Sequence, residues 1–263
     1  MTNRKVNTQN SYKSAINTNQ IAITPRQKVD PLKDGISSLE LIRISGSDVD
    51  IVNAARVSYG KVVTEVTERD IHLIKFLIKH AHTSPFEHNQ LSFRVKCPIF
   101  VGRQWMRHRM NSYNEISYRY AKAKEEFYVP VKWRTQDKTN KQASAKSFEN
   151  KTLKKKYLAS LELALKTYHE LLDTGVCREL ARGVLPVSLY TQFIFTCNLH
   201  SLMHFIKLRW HEGAQWEIQQ YAKAMLHMAF PHFPVALTAW QEVHRPDLNL
   251  NKEIPTLKQI LDL

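Results

Sequence analysis

The residues best suited to chemistry lie in one short stretch, Arg103 to Tyr120. Its eighteen residues contain four arginines, one histidine, one glutamate and five side chains of the Ser, Asn or Gln type. A tryptophan and three tyrosines are interleaved with them. Arginine stays charged, matches phosphate or carboxylate oxygens two at a time and stacks on aromatic faces. This composition predicts a site for a planar, anionic ligand.

Two elements must position these side chains. Pro98 suits the start of a helix, and the apolar spacing that follows predicts a helix as far as Met110. Beyond it the pattern changes to alternation, which is typical of an extended segment. In such a segment Glu115, Ser117 and Arg119 point to the same side and can meet one ligand together.

Two other interpretations of the stretch stay open at this point. Segments rich in Arg and Glu are commonly solvated faces with salt bridges. A basic helix that binds nucleic acid also fits, because the chain has a net charge of +14 and a pI near 9.7. Such a charge attracts nucleotides, nucleic acid or acidic membranes without choosing among them. No RRM, KH, helix-turn-helix or zinc motif is present, so we do not expect a nucleic-acid partner.

Composition narrows the class of protein further. With 263 residues, of which 43% are hydrophobic, the chain can bury a substantial core in one large domain or two small ones. Its three cysteines are far apart and form no CxxC pair, which is typical of a reducing compartment. No signal-peptide pattern or membrane-spanning run is evident, and we therefore expect a soluble cytoplasmic protein with no membrane partner. No glycine-rich phosphate loop occurs, so a bound nucleotide must be held by side chains.

The chain divides into a core region and three polar segments. We expect a flexible arm over residues 1–35, a folded domain over 36–245 with an exposed insertion at 132–151, and a tail over 246–263. Thr67 and Asp70 have the spacing of a capping box at a helix start. Sequence patterns predict strands at 39–44, 90–95, 127–131 and 190–197, and helices at 49–57, 71–81, 98–110, 153–172 and 214–228. Another helix, capped near Ser201, is predicted to follow the fourth of these strands.

Histidines cluster in two places. His80, His82 and His88 share one loop, while His200 and His204 have the spacing of one helical face. Metal binding, hydrogen bonding to a ligand and a structural role are all compatible with these spacings. Because no HExxH pattern or third ligand accompanies them, we expect no metal.

The stretch also carries a family signature. Arg107-His108-Arg109, then seven residues, then Ser117, resembles the RHR-x7-S signature of flavin-dependent thymidylate synthases. Further blocks similar to that family follow in its order over about residues 38–230. They are Ala-Ala-Arg-Val-Ser58, His80-x-His-x-Ser-Pro-Phe-Glu-His88, Pro-Ile-Phe-Val-x-Arg-Gln-Trp105, Ser-Tyr-Asn-Glu-Ile-Ser117 and Ala-Gln-Trp-Glu-Ile218.

The resemblance implies a fold and a reaction. The fold is α+β, a single domain with a small, mostly antiparallel sheet packed by long helices. The implied assembly is a homotetramer with FAD bound at the subunit interfaces. The implied reaction is the reductive methylation of dUMP to dTMP, with methylenetetrahydrofolate as carbon donor and NADPH reducing FAD. A flavin oxidoreductase of the same fold acting on another pyrimidine nucleotide is the alternative.

The resemblance also implies site residues. The dUMP positions fall on Gln104, Arg107, Glu115, Ser117, Tyr118, Arg119, Arg182 and Arg209. The FAD positions fall on Ser58, His82, Ser84, Arg107, His108, Arg109, Glu115, Asn198, His200 and His204. Three positions depart from the family pattern: His204 replaces a common asparagine, Ser84 a common threonine, and Tyr118 a frequent glycine.

The resemblance assigns the catalytic role to Arg209, which would favour ionisation of the uracil N3. No cysteine has the Pro-Cys-His setting used by the unrelated thymidylate synthases. Activation of the uracil is therefore expected to be electrostatic. Ser117 is interpreted as a phosphate ligand, because no base lies beside it in the sequence.

Overall fold

A five-stranded antiparallel sheet runs through the protein in the computed structural model, which describes residues 27–248. The strands of these residues are β1 (Gln27–Val29), β2 (Ser38–Ser45), β3 (Gln90–Pro98), β4 (Ser112–Glu115), β5 (Trp133–Gln136), β6 (Ser144–Phe148) and β7 (Tyr190–Asn198). The large sheet has the order β1-β2-β3-β7-β4, while β5 and β6 form a separate hairpin. β7 thus joins the strand that follows the signature arginines to the centre of the sheet.

Helices connect and cover the strands. Those of residues 27–248 are α1 (Asp48–Arg56), α2 (Glu68–Lys79), α3 (Ile99–Trp105), α4 (Lys151–Asp173), α5 (Arg178–Ala181), α6 (Leu199–Arg209), α7 (Trp216–Ala229) and α8 (Pro234–His244). Short 3₁₀ turns follow α1, α2 and α5. The main core contains buried side chains from α1, α2, α3, α6, α7 and α8 together with one face of the sheet.

Alternation along the central strands builds that core. Phe93 on β3 lies opposite Phe195 on β7, and both side chains are buried with no exposed surface. Trp105, at the end of α3, packs its ring edge-on against Phe193 and Phe195, with centroids 5.5 and 5.6 Å apart. Because aromatic side chains bury large apolar areas, this contact fixes α3 on the sheet. The signature residues therefore start from a rigid anchor.

A second, smaller core lies under α4. Tyr168 on this helix is fully buried, and its hydroxyl accepts the backbone N–H of Ala123 at 3.1 Å. Tyr118 belongs to the same cluster, and its hydroxyl donates to the carbonyl of Tyr190. This cluster fixes the chain that leaves the signature stretch.

Most predicted elements are confirmed. The α+β class with an antiparallel sheet is confirmed, as are the strands β2, β3 and β7 and the helices α1, α2, α4 and α7. The capping box is also present, because the Asp70 carboxylate accepts both the backbone N–H and the hydroxyl of Thr67. Gly175, with a φ of 88°, follows the end of α4 as expected.

The elements of the signature stretch are shorter than predicted. The helix predicted to reach Met110 ends at Trp105, and Met110 is 85% exposed, so no apolar face continues. The extended segment ends at Glu115, because the carbonyl of Ser117 accepts the N–H of Tyr120 in a turn. The prediction that Glu115, Ser117 and Arg119 share one side of a strand is therefore wrong.

Other differences lie outside the stretch. Residues 127–131 are not a strand and make only one isolated bridge, Phe127 to Leu189. Pro130 lacks a backbone donor for further pairing. The 132–151 insertion is exposed, yet it contains the β5–β6 hairpin in place of the predicted loop. Helix α8 has no counterpart among the predicted helices. The helix predicted to be capped near Ser201 is α6, capped by Asn198, whose side-chain oxygen accepts the N–H of Ser201 at 2.7 Å.

The two ends of the chain are predicted as polar segments. β1 falls within the predicted arm, and its Lys28 pairs with Glu40 of β2. The sheet therefore begins before residue 36. The rest of the arm, residues 1–26, and residues 249–263 of the predicted tail lie outside the described residues.

Candidate active site

The turn at residues 106–111, called the signature turn here, is held from the inside by His108. Its carbonyl accepts the hydroxyl of Tyr113 at 2.8 Å and the side-chain N–H of Asn111 at 2.9 Å. Its ring is buried and packs on Phe205 of α6 at 4.8 Å. Because His108 points inward, its neighbours Arg107 and Arg109 are exposed.

Arg209, at the end of α6, meets this turn. Its Nε donates to Nε2 of His108 at 3.0 Å, and one terminal nitrogen donates to the carbonyl of Gln104 at 3.0 Å. Residues more than a hundred positions apart in the sequence are thus joined directly. These two hydrogen bonds fix the plane of the guanidinium.

The hydrogen bond requires a neutral His108. An imidazole nitrogen that accepts a hydrogen bond carries no proton, so the proton of His108 lies on Nδ1. Burial, followed by the nearby charge of Arg209 and by His204, lowers the pKa of His108 to about 4. Burial and the neighbouring Arg107 also lower the pKa of Arg209, which remains a cation at neutral pH.

Three of the exposed arginines predicted to bind ligands have no anionic partner in the described part of the chain. Within residues 27–248, no carboxylate forms an ion pair with Arg107, Arg109 or Arg182. Arg119 differs, because it pairs with Glu179 at 3.1 Å where both side chains are about half exposed. An exposed guanidinium group without a carboxylate partner favours an anionic ligand.

Glu115 and Ser117 have partners within the chain. The carboxylate of Glu115, at the end of β4, accepts the hydroxyl of buried Thr191 on β7. The hydroxyl of Ser117 accepts the N–H of Arg119 at 3.3 Å. Thr191 is not predicted from the sequence, because its proximity to Glu115 depends on the pairing of β4 with β7.

Tyr118 points away from the exposed arginines. The residue is only 9% exposed and belongs to the second core. Its hydroxyl is occupied by the carbonyl of Tyr190. Any contact of this position with a ligand would therefore involve the backbone.

Three of the four histidines predicted to bind the flavin line one cleft. His82, His200 and His204 line a cavity of about 170 Å³, together with Met203 and Trp240. The ring of His204 lies 5.7 Å from that of His108, which connects this cleft to the signature turn. The cleft also contains His244 of α8, which sequence reasoning missed because it missed α8 itself.

The remaining predicted residues lie apart from these groups. Ser58 and Ser84 are exposed in 3₁₀ turns and do not line the histidine cleft. The side chain of Asn198 caps α6, so its oxygen is already occupied. Arg119 lines a separate, open cleft with Arg178 and Cys177. The predicted residues therefore lie on several separate surfaces of the chain.

Comparison with known proteins decides the family. The family described as thymidylate synthase complementing protein matches residues 40–235 of this chain. The chain belongs to the flavin-dependent thymidylate synthase family. A flavin-dependent thymidylate synthase of Thermus thermophilus is 49% identical over 208 residues, covering 78% of this chain and 75% of that protein. The one from Thermosipho africanus is 50% identical over 188 residues, covering 70% and 82%.

A solved structure resembles this chain in its fold. It is the UMP/dUMP methylase PolB from Streptomyces cacaoi bound with 5-Br dUMP, with a TM-score of 0.74 and 35% identity. The match covers 80% of this chain and 96% of PolB. The chain is therefore an enzyme of a methyltransferase family.

The three cysteines of the chain have distinct settings. Cys97 and Cys197 are buried, and burial raises the pKa of both thiols. A thiol must ionise to act as a nucleophile, so neither is suited to covalent catalysis. Cys177 is exposed. Within residues 27–248, no cluster of three or more His, Cys, Asp or Glu side chains has the arrangement of a metal site, and no helix has the length and apolarity to cross a membrane.

Proposed function

We propose that this enzyme converts dUMP to dTMP by reductive methylation, using methylenetetrahydrofolate as carbon donor and NADPH to reduce bound FAD. The observation that carries the proposal is the arginine cluster at the signature turn. Arg209 is held by His108 and by the carbonyl of Gln104, and Arg107 is close enough to lower the pKa of Arg209. Membership of the flavin-dependent thymidylate synthase family and the likeness to a dUMP methylase support it.

The donor set fits a nucleotide monophosphate. Arg107 and Arg182 are exposed and have no carboxylate partner within residues 27–248, and they supply charge for a phosphate. In our proposal Ser117 and Arg119 contact the same phosphate, which requires Arg119 to exchange its exposed pair with Glu179. An exposed ion pair contributes only about 0–1 kcal/mol, so a phosphate can replace it at small cost.

The histidine cleft fits a planar heteroaromatic ring. His82, His200 and His204 place hydrogen-bonding nitrogens around an apolar floor that includes Phe86 and Trp240. Pockets for small molecules commonly combine such a floor with a few polar groups. When bound, FAD would supply the hydride chemistry that the side chains lack.

The chain's own residues then position and polarise the uracil. Arg209 presents a fixed cation whose interaction grows as negative charge develops on the ring, as a preorganised donor requires. His108 holds the Arg209 side chain through a hydrogen bond and, because it is neutral, does not offset the positive charge of that side chain. No thiol is needed in this scheme, and the buried Cys97 and Cys197 are unsuited to supply one.

We further propose a cytoplasmic homotetramer with sites formed between subunits. The histidine cleft, at about 170 Å³, is smaller than the roughly 300–1,000 Å³ typical of ligand pockets. A dinucleotide therefore needs an additional wall, and a symmetric copy of the chain supplies one. Arg119 lies in a cleft apart from the Arg209 cluster, so in this proposal it reaches the phosphate beside Arg107 from a neighbouring subunit, which supports the same assembly.

The test combines a spectrum with a turnover assay. Purified protein should be yellow, bind FAD, and convert dUMP to dTMP with methylenetetrahydrofolate and NADPH. UMP and dCMP serve as competing substrates, and UMP matters because PolB is a UMP/dUMP methylase. If the protein takes up FAD but methylates only UMP, then UMP replaces dUMP as the proposed substrate. Protein that binds neither FAD nor dUMP would overturn the proposal.

A further inference from the structure

The β5–β6 hairpin is tied to the connection that follows Arg209. That connection, residues 210–215, joins α6 to α7, and the hairpin contacts one residue of the connection and the first residue of α7. At the hairpin tip, Asn140 lies beside Gly213, where a Cβ would be 3.3 Å from the Asn140 side-chain nitrogen. On β5, Arg134 lies over the ring of Trp216, with the guanidinium carbon 5.5 Å from the centroid. The insertion therefore contacts the chain next to the site.

A buried carboxylate stabilises the contact between the hairpin and α7. Glu217, in the first turn of α7, is 1% exposed and accepts a hydrogen bond from Arg134 at 2.6 Å. The same oxygen accepts the hydroxyl of Tyr128 at 2.8 Å. Charge-assisted hydrogen bonds of this kind are among the stronger side-chain contacts. They fix the first residues of α7 relative to the hairpin.

Gln215 connects the start of α7 to the site by a hydrogen bond. It immediately precedes α7, and its side-chain oxygen accepts the side-chain N–H of Gln104 on α3. An amide that donates from its nitrogen to a fixed partner has its oxygen turned in one direction only. Gln215 also lines the cleft formed with hairpin residues such as Trp133 and Gln136. One amide thus lies between the insertion and a proposed dUMP contact.

We infer that Gln215 is a positioning residue that orients the Gln104 amide toward the nucleotide, and that the hairpin, through Arg134 and Glu217, holds Gln215 in place. The insertion is then part of the machinery that recognises the pyrimidine nucleotide. This inference rests on the proposed function, because it requires Gln104 to contact dUMP.

The expected kinetic signature follows from the position of the amide. Gln104 would contact dUMP in both the ground state and the transition state, so loss of its orientation raises KM more than it lowers kcat. Arg209 is bound to the backbone carbonyl of Gln104, which the side-chain amide does not control. The rate of the step that Arg209 assists should therefore change little.

The experiment uses the FAD-loaded full-length enzyme. Gln215→Met keeps the length of the side chain and removes its hydrogen bond. We expect a KM for dUMP about tenfold higher, corresponding to about 1.4 kcal/mol, with kcat within about threefold of wild type. In a Gln104→Ala background, Gln215→Met should have no further effect on KM, because Gln215 acts only through Gln104. An unchanged KM in the single variant, or an additive effect in the double variant, would overturn the inference.

The hairpin is tested with a matched pair. Arg134→Met should raise the KM for dUMP, whereas Lys138→Met, which removes one exposed positive charge from the same hairpin, should not. Because Arg134→Met leaves Glu217 buried without its cation, the variant Arg134→Met with Glu217→Gln serves if the single change does not fold. An unchanged KM in the Arg134 variant would refute the role of the hairpin. An equal rise in KM in both variants would refute it as well, because loss of positive charge alone would then account for the effect. Failure of wild-type enzyme to bind or convert dUMP would instead reject the proposed function.

Discussion

Acidification should lower the free energy of unfolding through protonation of one histidine of the site. His108 accepts a hydrogen bond from Arg209, and a protonated imidazole has no lone pair to accept it. The groups that face its ring are Arg209 and His204 of α6, with Arg107 beside them, and none carries negative charge. Protonation of His108 is therefore unfavourable in the folded protein.

The magnitude follows from the two pKa values. The pKa of His108 is about 4 in the folded protein and takes its ordinary value of 6.5 in the unfolded chain. Between these values the unfolded chain binds more protons than the folded chain, so stability is complete above about pH 6.5 and is lost as the pH falls. Linkage gives a loss of about 2 kcal/mol in unfolding free energy between about pH 7.5 and about pH 5.

The assay is denaturant unfolding of wild type and His108→Gln at both pH values, at fixed protein concentration and without flavin. Glutamine offers an acceptor to Arg209 and does not titrate, so the variant should lose about 2 kcal/mol less than wild type on acidification. His72→Gln, which replaces an exposed histidine of α2, is the matched control and should behave as wild type. Equal pH dependence of wild type and His108→Gln would refute a neutral, accepting His108.

Four further outcomes are expected. Arg209→Ala should lower kcat about 10²–10³-fold with the fold intact, as for loss of a preorganised donor, and circular dichroism with steady-state kinetics checks this. Cys177→Ala should retain wild-type turnover in the same assay, because the exposed thiol has no covalent role. Tyr118→Phe should leave the dUMP dissociation constant within about threefold of the wild-type value in equilibrium binding, since the hydroxyl that it removes donates to a backbone carbonyl of the chain itself. Asp48→Ala should lower the free energy of unfolding by about 1–2 kcal/mol in urea, because the buried carboxylate caps two N–H groups at the start of α8.

Local sequence patterns are sufficient for much of the fold. The alternation in β3 and β7 predicts strands because each strand must bury one face, and the partners Phe93 and Phe195 lie on that face. The Thr67–Asp70 box predicts the start of α2 because both groups lie within one helical turn. Where the controlling interaction is local, the residues themselves determine the structure.

Predicted boundaries are wrong where tertiary contacts decide them. The signature helix ends at Trp105, and the turn after it is held by hydrogen bonds from the side chains of Asn111 and Tyr113 to the carbonyl of His108. The alternation after Asn111 is cut short by the turn at Ser117. The hairpin of the insertion is held by contacts with distant helices, such as Arg134 to Glu217. Polar residues at 132–151 give no sign of such contacts.

The sequence by itself determined the kind of chemistry: arginines, histidines and amides at family spacing, with no cysteine in a nucleophile's setting. The tertiary structure decided which of these side chains meet. Arg209 joins His108 and Gln104 only because α6 packs against the end of α3, and Gln215 reaches Gln104 only because α7 begins beside it. These pairs are separated by more than a hundred residues, so no local pattern constrains them, and folding of the sheet and its helices is what brings them into hydrogen-bonding contact.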